Sequence, residues 1–100
     1  MSAHYEISPE LYLKVAEHLI EEIGNKEFFA GTVQVTHNDI EHRLVATLII
    51  RRRRLNAQEQ HFFGSIERIT PVWWDFHTFD GTEEIDNDFS FTELASIIEC

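Results

Sequence analysis

Arginine, histidine, acidic and paired aromatic side chains are the groups in this sequence that could do chemistry. Four arginines run together, Arg51, Arg52, Arg53 and Arg54, in a chain of formal net charge −10. Clustered guanidinium groups suit anions such as phosphate, or the backbone of a single-stranded nucleic acid. Side chains alternate along a strand, however, so Arg51 and Arg53 share a face with Ile49, while Arg52 and Arg54 follow Leu48 and Ile50. Reversing the chain at 38–39 brings residue 50 near Glu27, and the run then reaches toward Glu21, Glu22 and the carbonyl end of the first helix, where cations are favoured. Glu59 lies near Arg54 across the next turn. The leading reading is therefore a strand end answered by local acids. Anion or single-strand binding through Arg51–Arg54 is an alternative, and an acidic partner, including a second copy of the chain, is another.

Six histidines stand at positions 4, 18, 37, 42, 61 and 77. None has the spacing of a metal-ligating motif. His42 and His77 could approach across strands, with Asp75 or Glu41, as an acid–base or metal pair; surface histidines are the ordinary reading. Asp86, Asp88 and Ser90 match the first half of a calcium loop. Phe91 then stands where that loop needs Gly, and Ile97 where it needs Glu. No metal and no cofactor is expected. The nucleophile-elbow pattern is absent, and the single cysteine is Cys100, so no catalytic residue is assigned and the chain reads as non-enzymatic.

The aromatic pairs Phe28-Phe29, Phe62-Phe63 and Trp73-Trp74 send one ring to each face of a sheet. One face then collects Phe28, Val45, Ile49, Phe63 and Trp73, more apolar surface than a solvated face carries. The second helix, a second subunit or a ligand could cover it; helix plus homodimer leads. A ligand or enzyme pocket in the concavity of the sheet is the alternative, lined by Trp73 or Trp74, Phe62 or Phe63, His77, Asp75 and Arg68.

The elements that must position these groups are legible. Ser8 caps a helix at 9–23, Pro9 opens it and Gly24 stops it, with Tyr12, Val15, Ala16, Leu19, Ile20 and Ile23 as its apolar stripe. From Glu27 the period changes to two, with a hairpin at His37-Asn38-Asp39 and a second strand at 40–54. A third strand begins near His61, and Thr70-Pro71 bends or breaks it before VWWDFHTF. Asp80-Gly81 opens an acidic loop, and Ser90 with Glu93 forms a capping box for a last helix, stapled by Phe89 and Leu94. The fold class is α+β: an N-terminal helix, a curved antiparallel meander of three to four strands, and a C-terminal helix in a single domain spanning 1–100.

Composition limits the partners. Residues 43–70 carry a net +4 and the flanks −14, which repels nucleic acid and anionic membrane at long range. The N-terminal stretch lacks the pattern of a signal peptide, and the longest apolar run is far short of a membrane span. The expectation is a cytoplasmic interaction domain that self-associates through its sheet as a homodimer, with a further protein partner conceivable and neither nucleic acid nor membrane involved.

Overall fold

The structure, a computed structural model, describes residues 4–52 and 66–99. In chain order the elements are β1 (His4–Tyr5), α1 (Pro9–Ile23), β2 (Phe28–His37), β3 (Ile40–Arg52), β4 (Ile66–Asp80), β5 (Glu83–Asn87) and α2 (Phe91–Ile98). The strands form one open sheet in the order β1-β5-β4-β3-β2. All pairs are antiparallel except β1 with β5. The class is α+β with a helix toward each end, as the sequence implies, but the strands among the described residues number five rather than three or four.

The added strands come from segments whose composition conceals them. The stretch after Asp80 reads as an acidic loop, yet Gly81, at φ 66°, turns the chain so that Asp80 pairs with Glu83 and Thr78 with Ile85. A positive φ at the first central residue alone is the signature of a type II′ turn. In β5, Glu84 and Asp86 stay in solvent while Ile85 and Asn87 are partly covered, so these two acids occupy the wet side of a strand. β1 is two residues long and is held at a distance: His4 pairs with Asp86 and Tyr5 with Asn87.

The caps of α1 act as read. The Ser8 hydroxyl accepts from Leu11 N–H at 3.2 Å, Pro9 occupies the first turn, and Gly24 closes the helix at φ 55° with its N–H donating to Ile20 C=O. The buried stripe is Leu11, Val15, Ala16, Leu19 and Ile23. It is rotated from the expected one, since Leu11 is fully buried and Ile20 is 43% exposed. At α2, the Ser90 hydroxyl accepts from Glu93 N–H. The reciprocal half of the expected capping box is replaced, because Ser90 N–H donates to the Tyr12 hydroxyl at 3.0 Å. A tyrosine from the other helix thus fills a role expected of Glu93.

Asn38 and Asp39 both have positive φ, 51° and 65°, the mark of a type I′ hairpin turn. The turn sets a register running from His37↔Ile40 to Phe28↔Ile49, and Ile50 N–H donates to Glu27 C=O at 2.8 Å. The pairing of residue 50 with Glu27 is thus as read. From Ile66 onward the third run is a single strand to Asp80. Its bend is a bulge: Thr47 pairs with Trp73 and Leu48 with Pro71, which leaves Val72 unpaired. The sequence segment 61–65, which includes Phe62 and Phe63, and the positions Arg53 and Arg54 lie outside the described residues.

Both helices pack on one face. Phe29, Val33, Leu44, Ala46, Leu48, Ile50 and Phe76 join Leu11, Leu19, Leu94 and Ile98 in one core. An aromatic stack closes its α2 side, with Phe76 and Phe89 rings 3.9 Å apart and nearly parallel. Trp74 meets Phe89 edge-on at 5.5 Å, and Tyr12 stacks on Phe89 at the same separation. Covering by α2 was one candidate for the second sheet face. The structure corrects this: α2 contacts α1 and the same face as α1, because Phe91, Leu94, Ala95 and Ile98 share its buried stripe.

Candidate functional site

The face turned away from the helices is built by alternation. Register sets Phe28 beside Ile49, Thr47 beside Trp73, Val45 beside Asp75 and Arg43 beside His77. Phe28, Ile49 and Trp73 are 55%, 51% and 53% exposed. One end of this face is therefore apolar and the other polar.

At the polar end the side chains bind one another. Gln34 Nε2 donates to Glu41 Oε1 at 2.7 Å, and Arg43 donates to Glu41 Oε2 at 2.9 Å while lying 5.2 Å from the centre of the Phe79 ring. His77 stands between two carboxylates, with Nε2 3.2 Å from Asp75 Oδ2 and Nδ1 3.4 Å from Glu84 Oε1. Both contacts are hydrogen bonds only when both ring nitrogens carry protons. A carboxylate-held imidazole is a general-base arrangement, but here neither nitrogen is left to face a substrate. His42 does not join it. Neighbours in a strand face opposite ways, so His42 is buried beneath the sheet while its neighbour Arg43 pairs with His77 above it.

His42 is the one buried imidazole among the described residues. Its Nδ1 lies 3.0 Å from Thr78 Oγ1, its ring is 4.8 Å from Tyr5 and 5.8 Å from Phe76, and Nε2 has no hydrogen-bond partner among the described residues. Burial, and to a lesser degree the charge of His37, lowers its pKa to about 4. The Tyr12 phenol is raised by burial, partly offset by the Ser90 N–H it accepts. Among the described residues no group of three His, Cys, Asp or Glu could hold a metal ion.

The described half of the arginine run is engaged by its own chain. Arg52 turns inward at the strand end and donates to Gly24 C=O and to Lys26 C=O, capping the carbonyl end of α1. Arg51 lies on the open face with Nε 3.3 Å from Glu67. Among the described residues these contacts go to carbonyls at the helix end and to Glu67, not to Glu21 or Glu22. Of the pocket residues read from sequence, Asp75 and His77 touch. Trp73 shares their face, and Arg68 sits opposite Arg51 far along β4. Trp74 points the other way, where it lines a groove of about 520 Å³ with Pro71, Phe91, Ala95 and Glu99.

The two long sheet margins were not singled out by sequence reasoning. A two-residue turn makes His37↔Ile40 a hydrogen-bonded pair, so the main-chain groups of Phe28, Ala30, Thr32, Gln34 and Thr36 point away from the sheet. Lys14 Nζ reaches the Thr36 carbonyl at 3.4 Å. Beside the other end, Glu22 and Lys26 flank residues 28–32 along a groove of about 370 Å³. The signal was available: FFAGTVQVT, residues 28–36, contains neither a charged residue nor a proline.

Among the described residues no helix is long and apolar enough to cross a membrane. Comparison with protein-family models, with curated proteins and with solved structures finds no match to this chain.

Proposed function

We propose that the chain is a small, non-enzymatic interaction domain of the cytoplasm that self-associates through its sheet. One-sided coverage carries this reading. Both helices occupy one face, and the other keeps Phe28, Ile49 and Trp73 half exposed in a patch. Half-exposed apolar side chains that adjoin on one sheet face are what a partner removes from water. The −10 charge disfavours polyanions, and Arg52 is spent on a helix cap, which weakens the anion-binding alternative. Sedimentation velocity from low to high micromolar concentration, at low and moderate salt, tests the proposal. A concentration-dependent dimer is expected; a monomer throughout overturns it.

A further inference from the structure

Resting on the self-association of that reading and not on its open apolar face, we infer where the two copies join: the outer edge of β2 pairs antiparallel with the same edge of a second copy about a two-fold axis at Thr32. An edge strand with free main-chain groups is a template for another strand, and proteins that must stay apart block it with charge, proline, bulges or cover. From Phe28 to Thr36, β2 carries none of the first two, and its register with β3 runs without a bulge.

The occupant follows from self-complementarity. A two-fold sets the residue on its axis against itself and every other residue against its symmetry mate, so a charge on the axis repels its own copy. The uncharged edge satisfies this condition. With Thr32 against Thr32, Ala30 meets Gln34 and Phe28 meets Thr36, all with outward-pointing N–H and C=O groups able to exchange hydrogen bonds. The half-exposed Phe28 then gains a neighbour. The same operation brings the Thr36 end of one copy beside the Phe28 end of the other. Lys14, bound at the Thr36 carbonyl, thereby approaches the strand end that Glu22 and Lys26 flank. The product is one continuous sheet with five strands from each copy, helices on one side and both open faces on the other.

The test uses the full chain. Thr32 is exposed and its N–H points outward, so Thr32→Pro deletes no bond within the copy and weakens dimerisation roughly thirtyfold. Thr32→Lys weakens it about fivefold at low salt, as does Thr32→Glu. Mixing these two variants restores association. Hydrogen exchange at the amides of Ala30, Thr32 and Gln34 slows with concentration, while Gly31 and Val33 are protected at every concentration. A monomeric wild type overturns self-association itself. A dimeric wild type whose Thr32 variants associate unchanged, with exchange at 30, 32 and 34 independent of concentration, overturns only the edge; loss of the dimer in Trp73→Glu then moves the seam to the open face. Should Thr32→Pro unfold, the Lys and Glu variants, altered only in an exposed side chain, carry the test.

Discussion

β2 and the first half of β4 each lack a neighbouring strand on one side among the described residues, and the chain treats these two margins in opposite ways. On β4, Pro71 offers no N–H and Val72 bulges out of register. Ile69 N–H donates to Glu99 Oε2 at 2.9 Å, Phe76 N–H to Asp75 Oδ1 at 2.9 Å, and Asn87 Nδ2 donates to Phe76 C=O at 3.2 Å. On β2, among the described residues, one lysine reaches one terminal carbonyl. A margin sealed by its own chain contributes to folding, whereas one left open is available to another strand. Substitutions should therefore divide, with those near β4 read as lost stability of a single copy and those on β2 as lost association.

The largest effect is expected at Phe89, whose ring lies against Phe76, Trp74 and Tyr12. Phe89→Ala should cost about 3–5 kcal/mol, measured by urea unfolding; a loss under about 1 kcal/mol would mean that the stack does not hold the β4 side. Acid comes next. An unfolded histidine titrates near 6.5 and folded His42 at about 4, so the unfolded chain takes up its proton first. The contribution of neutral His42 is whole above about pH 6.5 and falls between about 6.5 and 4, by about 1.4 kcal/mol per unit. Thermal unfolding across that range should show the slope in wild type, and a reduced one in His42→Gln.

Glu99→Gln weakens the acceptor that Ile69 N–H uses, and about 1 kcal/mol of stability should go with it. The readout is the denaturant midpoint, and faster exchange at the Ile69 amide would locate the damage. The smallest change separates the margins most clearly. Lys14→Met should leave single-copy stability within about 0.5 kcal/mol, checked by thermal unfolding at low concentration. If it instead unfolds the chain, the β2 margin is structural after all, and the contrast with β4 fails.

Local rules made much of this legible. α1, its caps and the Asn38-Asp39 turn depend on neighbours in sequence, and the hairpin register follows by counting outward from the turn. Long-range choices were not. Tyr12 taking the Ser90 N–H from Glu93 depends on how α1 meets α2, and β5 becomes a strand through pairing that its acidic composition argues against. The open face was legible from period two, because Phe28, Ile49 and Trp73 need only parity. Which residues face one another across β3 and β4 also needed the shift at Val72. His42 and His77 illustrate the point: one step of parity separates a conceivable pair into a buried imidazole and a surface one.

The β1–β5 pair binds opposite ends of the described chain. His4 lies beside Asp86, and Ile7 N–H donates to Asp88 Oδ1 at 2.8 Å, across 81 positions of sequence. Such a contact closes a long loop and forms late. While the chain is being made, Tyr5 and Ile7 must wait beside α1 until residues 83–91 emerge, so the β2–β3 hairpin can assemble well before the sheet is complete. A nascent chain halted before residue 83 would hold β2 and α1 but lack the aromatic floor of Phe89 and Phe91 beneath Trp74. Synthesis therefore delivers α1 and the β2 margin before the elements that complete the described sheet and core.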